Sequence, residues 1–353
     1  MEKEYNYMVC TRCFTFNHAP YIVDAMNGFT MQETTFPVVT VIVDDASSDG
    51  EQDVIRKYLD EHFQEPYRTE ETDYAHIVCA NHRTNPNCQF VVLFLKFNHY
   101  SVKKTKHPYL SEWLDNAKYH ALCEGDDYWT DHKKLQKQVD VLNDDSKVSM
   151  CCSACKRYSV SEAKFKRDIR CLNSSDYLNP KTIITMGGLY IPTCSIVYRK
   201  DVVHDYPVYC TKCHVGDYPL QIMCAMKGKC YYINEELAVY RVENQNSWVG
   251  KRKIKPLEEI INGARSEVNM LCGFLHDYPL YKKAFRDRIA FYINMQLRAN
   301  SDNNTPIIKE FSEEIKDYSL FWRCHLMTKT TNSNLLYIIF YKLFGKDLDK
   351  NFA

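Results

Sequence analysis

No stretch of about 18 consecutive apolar residues occurs in the 353-residue chain, so the sequence offers no membrane-spanning helix. An N-terminal basic segment followed by an apolar run is also missing, which leads to the expectation of a cytoplasmic protein. Net charge is absent too: 45 Lys and Arg stand against 45 Asp and Glu. No global field therefore draws in nucleic acid, and a charged partner has to be met locally. Internal repeats and low-complexity linkers are lacking. What is there, 45% hydrophobic residues, suffices to bury a sizeable core in one large domain or two modest ones.

Cysteine, in contrast, is plentiful at 16 residues. In an unsecreted chain these are expected as reduced thiols, mostly serving as small apolar core residues. Cys10 and Cys13 lie three apart in a run of strand character, where they face opposite sides and cannot share a metal. Cys210, Cys213 and His214 keep zinc open as a secondary reading, although no partner pair follows at zinc-ribbon spacing.

The first half of the chain alternates strand and helix. Tyr7 to Phe16 reads as a strand, and Tyr21, Ile22, Ala25, Met26 and Phe29 recur at helical spacing behind it. Val38 to Val43 is a continuous apolar run, as expected of a strand buried on both faces, and it ends in Asp44-Asp45-Ala46-Ser47-Ser48-Asp49-Gly50. Ser48 and Glu51 form a capping-box pattern opening the next helix. In such β-α-β-α order ligands bind beyond the carboxyl ends of the strands, so Phe14 to Asn17 and Asp44 to Ser48 are expected to line one crevice. Strands are expected at Ile77 to Ala80 and Phe90 to Phe97, then a basic loop, His99 to Pro108, that is either a solvated turn or a phosphate contact.

A short apolar run, Tyr119 to Cys123, then ends in Glu124-Gly125-Asp126-Asp127-Tyr128-Trp129. Three carboxylates within four residues repel one another unless a cation or hydroxyls engage them, although a single acidic turn is more often a solvated one. A helix over Lys133 to Leu142 follows, then a strand at Ser149 to Cys152 and a polar, irregular excursion over Lys156 to Asn179. Gly187 to Ser195 is a glycine- and hydroxyl-bearing loop leading to a strand at Ile196 to Tyr198. Asp217 starts a helix, where the common role is an N-cap. Two strands, Cys230 to Ile233 and Leu237 to Tyr240, complete the β-rich part, and the pattern is helical from about Pro256. The last apolar helix, Leu335 to Phe344, is too short to span a membrane. It docks on the protein or lies at a membrane surface.

Taken in this order, the Phe14-Thr15-Phe16-Asn17 strand end, the Asp-Asp-Ala-Ser-Ser-Asp-Gly loop, the acid turn with its helix, and Gly216-Asp217 resemble the family 2 inverting glycosyltransferases of GT-A fold, over about residues 5–245. The Cys-Glu-Gly-Asp-Asp-Tyr-Trp segment is similar to a bacterial branch that builds surface polysaccharides. The resemblance implies an α/β fold, a Rossmann-like mixed sheet flanked by helices, with a glycosyltransferase domain over 1–250 and a helical region over 251–353. Within the first, it implies a nucleotide-binding half up to about 130 and an acceptor half beyond. By the same resemblance Phe14, Thr15, Phe16, Asn17, Asp45, Ser47 and Glu124 bind the nucleotide, with Glu124 facing the ribose. Asp126, helped by Asp127, holds Mn²⁺ or Mg²⁺ on the diphosphate, and Asp217 is the catalytic base. Thr193, Ser195 and Trp129 meet the acceptor. A nucleotide sugar, expected to be uridine-based, and a glycan or lipid-linked glycan are the implied partners.

The chain departs from the family pattern in places. Phe14-Thr15-Phe16 stands for Pro-Thr-Tyr, Glu124 for an Asp, and Tyr240-Arg241 where a His often follows, leaving Arg241 or Asn244 to face the diphosphate. Two other readings stay open. A nucleotidyltransferase needs a glycine-rich basic loop after the first strand, whereas Phe14 to Tyr21 has no glycine and no basic residue except His18. A non-catalytic nucleotide-sugar-binding protein would keep the fold without turnover.

Overall fold

The computed structural model describes residues 5–243, 257–299 and 309–316. The chain divides into two compact units, the first comprising Met1–Pro207 with Gly216–Lys253 and the second Val208–Val215 with Ile254–Ala353. Asn244 and the apolar segment Leu335 to Phe344 lie outside the described residues.

The first unit is built on one mixed sheet of twelve strands. Its core is β1 (Tyr7–Thr15), β2 (Val38–Asp44), β5 (Cys88–Leu95) and β6 (Ala117–Leu122), all mutually parallel in the spatial order β6-β1-β2-β5. All seven residues of β2 are buried, as a strand covered on both faces requires. Antiparallel β4 (Ala75–Asn81) and β3 (Arg68–Glu71) extend one side. The other side continues through β11 (Val197–Arg199), β8 (Val148–Ser159), β12 (Lys229–Val242) and β10 (Asp176–Leu178), with β7 (Tyr128–Trp129) on β12 and β9 (Lys164–Ile169) on β8.

Helices α1 (Ile22–Thr30) and α2 (Glu51–His62) pack their apolar stripes on one face. Ile22, Ala25, Met26, Phe29, Ile55 and Tyr58 join Val9, Ile42, Phe90 and Tyr119 in a single core. Cys10 belongs to a different cluster, on the opposite face from Cys13, so these two thiols cannot share a cation. Further helices are α3 (Ser111–Leu114), α4 (Lys134–Asp144), α5 (Pro180–Met186), α6 (Val208–Thr211) and α7 (Asp217–Lys227).

Two expectations need correction. The polar stretch over Lys156 to Asn179 is not irregular: it finishes β8 and supplies β9 and β10, edge strands whose outward side chains are free to be polar. The two short strands expected around Cys230 and Leu237 form the continuous β12, which absorbs its irregular step in register shifts against β8 near Ile233 to Ala238.

The second unit is helical. Phe274 on the helix Leu257–Asp277 stacks on Phe285 of the helix Lys282–Ala299 at 5.9 Å and meets Tyr209 of α6 edge-on. The Tyr209 hydroxyl donates to Asp277 at 2.6 Å. Among the described residues no helix is long and apolar enough to cross a membrane.

Candidate active site

Because β1, β2 and β6 run parallel, their carboxyl ends open on one edge of the sheet, and the three loops carrying the expected motifs emerge there together. Asn17 sews the first two. It adopts φ 57°, a left-handed conformation that Asn tolerates better than most residues. Its N–H donates to Ser47 Oγ at 2.9 Å, and its Oδ1 accepts from the Ser48 N–H at 2.8 Å.

Glu51 lies beneath these loops, fully buried. It accepts from the Thr15 hydroxyl, from the His18 N–H at 2.8 Å and from Ser47 Oγ at 2.8 Å. Burial raises its pKa, with those hydrogen bonds pulling the other way. The expected capping box is therefore not formed. Gly50, at φ 88°, caps α2, and the Glu51 side chain is committed to the β1 loop. Helical spacing held the clue, because Glu51 shares the buried stripe of Ile55, Tyr58 and Leu59.

Asp45 is buried and fully engaged. Its Oδ1 accepts from the His99 N–H at 2.8 Å, while Oδ2 accepts from the Tyr100 N–H at 3.1 Å and from Lys106 Nζ at 2.8 Å. The basic loop is thus pinned to Asp45 through His99, Tyr100 and Lys106, while its side chains from Tyr100 to Thr105 are exposed to solvent. Lys106 Nζ also lies 5.1 Å from the centre of the half-buried Phe14 ring.

The acid turn is locked to β1 by the Gly125 N–H, which donates to Phe14 O at 3.0 Å. A Cβ on residue 125 would fall 2.2 Å from Thr15 Oγ1, so only glycine permits this approach. Asp127 turns inward: it is 2% exposed, and its Oδ1 accepts from the Arg241 N–H at 2.7 Å. Burial first, and Asp126 second, push its carboxyl well up. Arg241 donates from Nη1 to Asp126 O at 2.8 Å, pairs with Asp24, and lies over the rings of Tyr21 and Tyr128. The Arg241 guanidinium, one of the two groups offered for the diphosphate, is the clamp that fixes the turn.

Glu124 and Asp126 remain half-buried at the sheet edge, with His18 Nε2 3.8 Å from Asp126 Oδ2. Burial pushes Glu124 up to about 7, opposed by Arg12 and reinforced by Asp126 and Asp217. Asp217, the first residue of α7, accepts the Tyr218 N–H at 2.8 Å and stands 3.5 Å from Thr193 Oγ1. A Cβ on Gly188 would sit 3.6 Å from both its oxygens. Burial, the leading influence, raises its pKa.

Of the three residues expected to meet the acceptor, Thr193 alone lies beside Asp217 with an open side. Ser195 is buried and donates to Pro192 O at 2.7 Å. Trp129 is a core ring, edge-on to Phe29 at 4.9 Å, its Nε1 donating to Cys194 O at 2.9 Å.

Among the described residues no group of three or more His, Cys, Asp or Glu is placed to hold a metal ion. The zinc reading of Cys210, Cys213 and His214 therefore finds no site, and His214 meets Ser266 and Glu267 instead. Asp126 with Glu124 fits the other kind of cation site, in which Mg²⁺ or Mn²⁺ takes one or two carboxylates and draws its remaining oxygens from phosphates and water. Asp127 is unsuited to the helper role expected of it, because its carboxyl faces the protein.

No known family profile matches the chain. Uncharacterised proteins of Mycobacterium tuberculosis and Mycobacterium bovis are 28% identical over 253 residues, 66% of this chain. The match spans 58% of those relatives' length. The crystal structure of a S. aureus TarS fragment in complex with UDP-GlcNAc superposes with a TM-score of 0.57 at 13% identity, over 97% of this chain and 92% of the fragment. The same fragment with UDP gives 0.54 at 12% identity, covering 97% and 91%. The chain thus has the GT-A glycosyltransferase fold, with a helical C-terminal part.

Proposed function

We propose that the protein is a metal-dependent inverting glycosyltransferase that moves a sugar from a nucleotide-sugar donor to a hydroxyl of a growing surface glycan. One observation carries this reading: parallel β1 and β6 bring the Phe14–Asn17 loop and the acid turn to one sheet edge, joined by the Gly125 N–H to Phe14 O bond, with Asp126 3.8 Å from His18. The fold shared with TarS, whose fragment binds UDP-GlcNAc, supports it.

Phe14, Thr15, Phe16 and Asn17 with Ser47 form the nucleotide cradle, Asp45 anchors the loop beside it through His99, Tyr100 and Lys106, and Glu124 faces the ribose. A divalent cation on Asp126 and Glu124 would supply neutralisation of the charge that builds on the leaving diphosphate. Asp217 accepts the proton of the acceptor hydroxyl as its oxygen bonds the sugar carbon and the carbon–diphosphate bond breaks from the opposite face. A single carboxylate suffices, and no covalent sugar–enzyme intermediate is formed. Thr193 orients Asp217 and the incoming hydroxyl.

The test is calorimetric titration with UDP, with and without Mn²⁺, on wild type and Asp126→Asn. Metal-dependent binding that the substitution reduces by roughly tenfold or more supports the assignment. Binding that ignores both the metal and the substitution removes it.

A further inference from the structure

Arg12 is a charged residue in an apolar strand. Its strand neighbours Cys10 and Cys13 are fully buried, and the adjoining Leu122 of β6 is 1% exposed. Apart from the ring of Phe14, 5.1 Å from its guanidinium carbon, Arg12 has no partner for its side chain among the described residues, and its Nε is buried without a hydrogen bond. Arg12 as a whole is half-buried, and leaving its buried Nε donor without an acceptor costs free energy unless a ligand engages the guanidinium.

The surroundings say what kind of acceptor. Arg12 shares the β1 face of Phe14, two residues deeper than the loop that carries the nucleotide cradle, and its carbonyl accepts the Cys123 N–H at the start of the acid turn. Burial is the larger influence on Glu124, His107, His120 and Tyr198, and the Arg12 charge is felt by all four. His120 is already spent on Leu114 O and Tyr198 Oη. On the mouth side, Lys106 lies 5.1 Å from the same Phe14 ring. The ring is therefore flanked by two cations, and neither side chain can accept a hydrogen bond.

We propose that Arg12 forms the floor of the nucleobase pocket and selects a base with an exocyclic keto oxygen, uracil or guanine, over the amino bases cytosine and adenine. The inference rests on the donor site proposed above and adds to it a residue and a rule. A keto oxygen accepts from the guanidinium, as guanine O6 does from arginine in nucleic-acid recognition. An amino group at the same position sets donor against donor and leaves Arg12 unpaired, the kind of mismatch that discriminates strongly in a buried site.

The experiment compares UDP with CDP and GDP with ADP by calorimetry in Mn²⁺, using the wild-type 353-residue chain, Arg12→Met and Arg12→Gln. Each pair is matched in size, so the ratio within a pair reads the base edge alone. Wild type is expected to prefer the keto member by roughly tenfold or more, the range of one well-placed base contact. Arg12→Met narrows that ratio by weakening the keto member. Arg12→Gln, which restores an acceptor, improves CDP relative to UDP, and this gain shows that the pocket is still folded. Equal weakening of all four nucleotides, with the ratios preserved, would make Arg12 a mere counter-charge for Glu124 and overturn the inference. So would wild-type binding of CDP as tight as UDP. Failure of wild type to bind any of the four would instead bring down the donor site itself and the rule with it.

Discussion

Asp217 shows how much one side chain's surroundings decide. Its carboxyl is half-buried and receives the Tyr218 N–H, its own N–H and a long contact from Thr193, yet burial dominates and its pKa rises. A base must be ionised to accept a proton. The acid limb of kcat/KM is therefore expected above the ordinary carboxylate value of about 3.9, with activity falling about tenfold per pH unit below it. Glu124, held near 7, adds a second limb. Glu124→Gln removes that limb and leaves the one belonging to Asp217. In Asp217→Asn, transfer is expected to fall by roughly 10²- to 10⁴-fold while UDP binding stays within a few fold. A pH profile for Glu124→Gln that is flat down to pH 4, or an Asp217→Asn enzyme of near-normal activity, would remove the base assignment. The type and position of this carboxylate were legible from the chain. Its raised pKa was not, because that depends on burial that arises only in the folded structure, against which the Thr193 hydroxyl pulls the other way.

Elements matter next, because the acid turn is held by strands that lie far from it in sequence. The Arg241 N–H on β12 fixes Asp127, and its guanidinium reaches Asp126 O, Asp24 of α1 and two tyrosine rings. The backbone bond survives any substitution that leaves β12 paired to β8, whereas the guanidinium contacts do not. Arg241→Met is thus expected to fold with modest loss of stability, about 1–3 kcal/mol, and to weaken metal-dependent UDP binding. Thermal melting and calorimetry on the same preparation separate the two effects. Unaltered UDP affinity together with a lowered melting point would show that the clamp serves stability alone. Sequence reading saw Arg241 only as a substitute for an expected histidine. Nothing in the spacing of residues 126 and 241 announces a contact made through the pairing of β7 with β12.

Over the whole molecule, the parallel core was readable because fully apolar strands such as β2 and amphipathic helices such as α1 carry strong periodic signals. The polar edge strands β9 and β10 carry none, since a strand that faces solvent need not look like one. The cysteines join these two lessons. Among the described residues every cysteine except Cys171, Cys213 and Cys272 is buried. Burial pushes Cys88, Cys151 and Cys230 up to about 12, and the reactive thiolate is correspondingly scarce. Cys151 of β8 pairs with Tyr231 of β12 and Cys230 of β12 with Met150 of β8, at the heart of the mixed half of the sheet. Their access to a reagent therefore requires the sheet to open, and their labelling reports a global event rather than a local one. With N-ethylmaleimide at neutral pH, peptide mass spectrometry is expected to find Cys171, Cys213 and Cys272 modified first. Cys151 and Cys230 should be modified only at the rate of unfolding, and that rate should climb together as denaturant is added. Rapid modification of either in native buffer would mean that the β8–β12 pairing opens locally, and Arg241, held on the same strand, could not then act as a fixed clamp for the acid turn.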